Sequence, residues 1–156
     1  MTKSTNLSDA DKTLLRALQH DGRATNAELS AIAHMSESAC LRRVKALEQA
    51  GVIERYAAIV NPAAVGRPLT VFVTLSLESQ AQEALADFER AAAAVPDIQE
   101  CHLMAGTSDY ILRLAVRDVD ALERLHSQVL TRLPGVARVV SSLALRSVVR
   151  RASLPL

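Results

Sequence analysis

"SESACLRRVKALEQAGVIERY", residues 36–56, is the stretch on which the reading of the chain turns. It opens on small hydroxyl residues, carries two arginines and a lysine, and runs into a glycine followed by a short apolar segment. Ser36 has the compact acceptor that caps a helix, and Cys40, Val44 and Leu47 follow the i, i+4, i+7 spacing of a buried stripe. At about 100° per residue, Ser38, Arg42 and Lys45 share the opposite face, with Arg43 beside them. Such a row can bond phosphates and base edges, and Ser36 with the early helix amides can hold a further phosphate. A charged outer face alone is ordinary for a solvated helix, so the neighbouring segments decide.

Upstream, Ser8 and Asp11 form the S-x-x-D pattern of a helix start, and Leu14, Leu15 and Leu18 make its apolar stripe. That helix ends at Asp21-Gly22-Arg23. Thr25-Asn26-Ala27-Glu28 repeats the capping pattern and opens a short helix with Leu29, Ile32 and Ala33 inward, and His34-Met35 forms a tight break before Ser36. Three short helices, the last two separated by a few residues, predict a helix-turn-helix whose second helix lies in the DNA major groove. Val52–Val60, after Gly51, reads as a strand, which makes the expected N-terminal domain a (winged) helix-turn-helix over residues 1–60.

Asn61-Pro62 and Gly66-Arg67-Pro68 break the chain, so residues 61–68 are the expected linker. In the remainder, 69–156, Leu69–Leu77 alternates like a half-buried strand, and a helix follows from about Gln80 to Val95 with Leu85, Phe88 and Ala92 inward. Strands Ile98–Ala105 and Asp109–Val116 flank the turn Gly106-Thr107-Ser108. Asp118 caps a helix bearing Leu122, Leu125 and Val129, and Val136–Leu145 is the last strand. The order β-α-β-β-α-β predicts an α+β chain whose C-terminal domain is ferredoxin-like, with both helices on one face of an antiparallel sheet. "AVPDIQECHLM" and "RLPGVARVVSS" both place a proline at a helix exit before a strand, as two related halves would. The other face, expected to offer Ile98, Met104, Ile111 and Ala115, has no helix to cover it, and an exposed apolar patch of that kind invites a dimer with sheets apposed.

Composition narrows the function. The 156 residues are 49% hydrophobic and 22% charged, which suits a globular chain of one ordinary domain or two small ones. A net charge of +1 means that any nucleic-acid site is local and not a diffuse basic surface. No apolar run approaches the ~20 residues of a membrane span, and the polar start MTKSTNLSDADK lacks a signal peptide's apolar segment; the expectation is a cytoplasmic protein without membrane contact. Cys40 and Cys101 have neither CxxC nor metal-ligand spacing and read as core thiols. His20, His34, His102 and His126 show no HxH or HExxH, and no phosphate loop or GxSxG elbow occurs. No catalytic residue, no metal and no cofactor is therefore expected, and an enzyme is not.

The chain as a whole resembles the Lrp/AsnC, or feast/famine, transcriptional regulators. The likeness runs from "LSDADKTLLRALQHDGR" through "VKALEQAGVIERYAAIVNP" to "IQECHLMAGTSDYILRLAV" and "LPGVARV", and "ECHLMAGTSDY" is its most specific piece. It implies an N-terminal domain bound to double-stranded DNA and a C-terminal domain that dimerises, assembles into a tetramer or octamer, and binds a small effector, usually an amino acid. Gly106, Asp109 and Tyr110 match the family's effector loop, whereas Thr107 and Ser108 replace acidic and aromatic residues frequent there. Val139 and Ser141 stand where many members have a Thr-x-Thr pair. His34 occupies a turn position often held by Gly, and His tolerates the left-handed conformation.

An amino-acid site needs donors for a carboxylate and an acceptor for an ammonium. The Gly106 turn can supply backbone amides, Asp109 can accept from the ammonium, and Ser141 can add a hydroxyl. Asp109 also reads as a turn-capping carboxylate and Tyr110 as a core ring with its hydroxyl at the rim; both pairs of readings stand open at this level. The expected function is a sequence-specific DNA-binding transcriptional regulator responding to a small amino acid, with a ligand-independent DNA-architectural protein of the same fold as the alternative.

Overall fold

The computed structural model describes residues 6–156; residues 1–5, the polar start of the expected first domain, lie outside the described residues. The chain divides into two compact units, Met1–Ile59 with Val148–Leu156, and Val60–Ser147. The sequence reading assigned 69–156 to one domain; here residues 148–156 group with the helical unit instead.

The first unit contains α1 (Asp9–His20), α2 (Asn26–Ile32) and α3 (Glu37–Gln49). Each begins where a short polar side chain satisfies free amides. Ser8 and Asp11, and Thr25 and Glu28, form reciprocal capping boxes, and the Ser36 hydroxyl accepts from the Ala39 amide. Leu14, Leu29 and Cys40 meet in a small core, flanked by Leu18, Ala33 and Val44. Ile32, expected inward, is 49% exposed, because α2 is only seven residues long and turns just one flank to its neighbours. His34 has φ 51°, the left-handed geometry the tight break requires, and Gly51 does the same after α3 at φ 69°.

The expected strand Val52–Val60 is not one. The Val52 and Ile53 amides both bond the Leu47 carbonyl and so finish the end of α3. From residue 54 to 60 the chain is exposed and joins no ladder among the described residues. Apolar, β-branched composition favours an extended chain, but a strand forms only where a second strand accepts its hydrogen bonds.

The second unit runs β1 (Leu69–Leu77), α4 (Gln82–Ala93), β2 (Ile98–Leu103), β3 (Tyr110–Val116), α5 (Val119–Gln128), a single 3-10 turn Leu130–Arg132, and β4 (Val136–Leu143). The sheet is antiparallel in the order β2-β3-β1-β4, the ferredoxin-like arrangement. Val71, Val73, Leu75 and Leu77 of β1 and Tyr110, Leu112, Leu114 and Val116 of β3 face Phe88 and Ala92 of α4 and Leu125 of α5. Burying each such side chain contributes roughly 1.5–3 kcal/mol, so this layer anchors the unit.

On the other face lie Phe72, Thr74, Ile111, Arg113, Ala115 and Val140, with Phe72 and Val140 exposed. Ile98, expected there, packs instead with the helix-side core. An irregularity between Ile98 and Glu100 places Ile98 opposite Leu114 and Glu100 opposite Arg113; the extra residue reverses the alternation. Cys40 is fully buried, but Cys101 is exposed, since β2 is an edge strand whose outer flank pairs with no strand among the described residues. Among the described residues no helix is long and apolar enough to cross a membrane.

Candidate functional site

Two regions hold the residues that the sequence singled out. The first is α3. Asn26 Nδ2 donates to the Glu37 carbonyl at 2.8 Å, linking the start of α2 to the start of α3, while the Met35 amide bonds the Ser30 carbonyl at 3.0 Å across the turn. These two bonds set the angle at which α3 leaves α2. Asn26 was not singled out from the sequence, where it reads only as part of a capping pattern.

Ser38, Arg42 and Lys45 are exposed along one side of α3, and neither Arg42 nor Lys45 makes an ion pair among the described residues. Ser36 Oγ lies 3.2 Å from Ser38 Oγ at the helix start. Arg43 differs from its neighbour. Its Nη1 donates to Asp11 Oδ1 at 2.8 Å and to Ser8 Oγ at 3.1 Å, bolting α3 to the capping box of α1. Burial raises the pKa of Asp11, but hydrogen bonds from Ser8 and the Arg43 guanidinium outweigh it and hold the carboxyl below its ordinary value.

The second region is the turn between β2 and β3. Asp109 has both carboxylate oxygens engaged: Oδ2 accepts from the Leu77 amide at 2.7 Å and Oδ1 from Gln80 Nε2 at 2.7 Å. Its backbone bonds the Leu75 carbonyl and the Met104 amide. Asp109 is thus the carboxylate that fixes the turn to the end of β1. The amides of Gly106, Thr107 and Ser108 at the tip make no hydrogen bond among the described residues. Gly106 is exposed, and a Cβ added there meets nothing within 4 Å.

Tyr110 points the other way. Its ring is buried, 4.4 Å centroid to centroid from Phe88, and its hydroxyl donates to Glu89 Oε1 at 2.8 Å. Burial, reinforced by that bond to a carboxylate, pushes the phenol well above its usual range. Ser141 is separate again, on the helix side of edge strand β4, its hydroxyl 3.1 Å from His126 Nδ1 in a cleft of about 260 Å³ beside α5. Within one chain the structure brings Gly106, Thr107, Ser108 and Asp109 together, and places Tyr110 and Ser141 elsewhere. Gln80, Glu89 and His126, which hold the three, are legible in the sequence only as polar residues on or beside helices.

Comparison with known proteins identifies the assembly of parts. Residues 7–54 match the winged helix-turn-helix DNA-binding family, and residues 70–154 match the Lrp/AsnC ligand binding domain. The chain belongs to the Lrp/AsnC family of transcriptional regulators. The leucine-responsive regulatory protein of Escherichia coli (strain K12) is 41% identical over 126 residues, 81% of this chain and 77% of that protein. An HTH-type transcriptional regulator of Sinorhizobium fredii is 48% identical over 114 residues, 73% of this chain and 90% of the relative. The crystal structure of a Neisseria meningitidis transcriptional regulator in complex with L-Met is similar at a TM-score of 0.91 and 35% identity, covering 96% of this chain and 97% of that one. This Lrp/AsnC protein is a DNA-binding regulator with a ligand-binding domain; the family is not one of enzymes.

Proposed function

We propose that this Lrp/AsnC regulator binds operator DNA through the outer row of α3 and reads a small amino acid at the β2–β3 turn. Ser38, Arg42 and Lys45 address the major groove, while Ser36 and the first amides of α3 hold a phosphate. Arg43 acts through position, keeping α3 fixed on α1. The three unbonded amides at the tip of the turn are the observation that carries the effector reading: they are carboxylate donors with no acceptor of their own. Asp109 keeps that tip in shape and retains lone pairs for an ammonium. The open space over Gly106 supports close approach by a ligand or by a second subunit.

In this reading residues 1–60 form the DNA-binding domain, 61–68 the linker, and the sheet unit the effector and oligomerisation domain. Two copies dimerise through the sheet face bearing Phe72, Ile111 and Val140, and dimers assemble further into a tetramer or octamer. Tyr110 and Ser141 belong to the effector site only where a neighbouring subunit completes it. The protein works in the cytoplasm, where DNA and free amino acids meet. Calorimetric titration with a panel of amino acids, including Leu and Met, is the test. One or more is expected to bind, and Gly106→Leu is expected to abolish binding without changing thermal stability. No binding by any of them favours the ligand-independent DNA-architectural alternative.

A further inference from the structure

The segment after β4 ends its last sheet contact at Ala144, whose amide bonds the Thr70 carbonyl. Leu145, Val148 and Val149 are then strongly exposed. The next contacts are with α1. The Gln19 side-chain amide grips the backbone of Leu154 at both ends, Nε2 donating to the carbonyl at 3.2 Å and Oε1 accepting from the Leu154 amide. One turn earlier, Arg16 donates through Nε, at 3.1 Å, and through Nη2 to the main-chain oxygen of Leu156.

These contacts have a common geometry. A primary amide carries a donor and an acceptor side by side, as a peptide group does, so Gln19 pairs with Leu154 like one rung of a ladder. Residues three apart on a helix share a face, and alternate carbonyls of an extended chain point the same way. Leu156 sits at Arg16 and Leu154 at Gln19, so the segment runs antiparallel to α1. Pro155 between them locks its own φ and biases Leu154 toward extended backbone, which lowers the entropy lost on docking. Leu154 stays 73% exposed: polar contacts hold the segment, and they are reversible.

We propose that the Arg16–Gln19 face of α1 is a docking site for the chain's own segment Leu154–Leu156. The occupant is already seated there, its backbone matched to both side chains. Because the chain passes from the helical unit to the sheet unit at 59–60 and back at 147–148, docking gives the DNA-binding unit a second covalent tether. That consequence rests on the function proposed above: if the sheet unit senses an effector, a rearrangement there reaches the DNA-binding helices through two connections instead of one.

Hydrogen exchange on the full-length protein tests the docking without reference to DNA. The Leu154 amide is expected to exchange about three- to tenfold more slowly than those of Ala152 and Ser153, the protection one net hydrogen bond supplies. Gln19→Ala should remove that protection, and Gln19→Glu, which keeps the acceptor oxygen, should retain it; amides in the core of α1 serve as the folding control and should not change. Equal exchange of Leu154 in wild type and Gln19→Ala overturns the docking site.

The tether is tested on a duplex selected by the wild-type protein from random DNA and then lengthened by about 5 bp, half a helical turn, between half-sites. The affinity penalty is expected to be smaller in the Arg16→Ala, Gln19→Ala double variant than in wild type. An equal penalty overturns the tether. Failure of the wild type to select any DNA would instead remove the reading of α3, and exchange at Leu154 would still decide the docking.

Discussion

The outer row of α3 and the turn between β2 and β3 are built on opposite terms. Arg42 and Lys45 are charges to which the fold gives no ion-pair partner among the described residues. Asp109 is a charge the fold uses at both oxygens, on the Leu77 amide and Gln80. At α3 the groups available to a ligand are the side chains themselves. At the turn each oxygen of the side chain already accepts one bond, and what it chiefly makes available is the row of backbone amides it holds in place. Arg43 carries the same contrast into a single helix: one position from Arg42, it is bound to Asp11 and Ser8. A charged residue's task is therefore read from whether the fold has already satisfied it, and less from its residue type.

Substitutions that separate stability from binding sharpen this contrast. The largest effect is expected at Asp109→Ala, which removes two hydrogen bonds and strands the part-buried Leu77 amide; a loss of about 2–4 kcal/mol should appear in chemical denaturation. A loss below about 0.5 kcal/mol would mean that the turn holds without its carboxylate. Arg42→Ala should do the reverse, leaving stability within about 0.5 kcal/mol of wild type. In gel-shift titrations over a salt series it should either cost about 1–3 kcal/mol of sequence preference or flatten the log-log salt slope by about one.

Arg43→Ala falls between them, with about 1 kcal/mol of stability lost at neutral pH for a half-exposed, charge-assisted contact. Its pH dependence carries a definite sign. Asp11 has its folded pKa depressed, so its contribution is complete above the unfolded value of about 3.9 and disappears as pH falls through the folded one. Denaturation of wild type and Arg43→Ala should therefore begin to converge as pH falls below about 4 and meet once the folded Asp11 carboxyl is protonated; a gap that persists with that carboxyl protonated would assign the loss to packing of the arginine stem. The smallest effect is expected at His34→Gly. Relief of the left-handed backbone, offset by a freer unfolded chain, should raise stability by about 0.5–1 kcal/mol without altering DNA binding.

Much of the fold could be read from the chain because its signals are local. Ser8, Thr25 and Ser36 cap helices with amides three residues away, and the alternation of Leu69–Leu77 is a property of the strand itself. The left-handed turn at His34 was expected from the family resemblance, in which Gly often holds that position, and the backbone there has φ 51°. The errors have a different origin. Val52–Val60 has the composition of a strand and no ladder partner among the described residues. Ile98 changed faces because an irregularity one residue along reversed the alternation, and Cys101 was left exposed because the sheet order puts β2 at an edge.

The candidate sites divide along the same line. Composition and helical spacing alone determined that Ser38, Arg42 and Lys45 share one outer face, and that Gly106 to Asp109 form a turn between two strands. Tertiary structure alone decided which of these groups are occupied. Gln80 reaches Asp109 across 29 residues, His126 reaches Ser141 across 15, and Gln19 holds Leu154 across 135. A cap or an amphipathic stripe is set by residues within a turn or two, whereas a hydrogen-bond partner that distant comes within reach only once the chain has closed on itself.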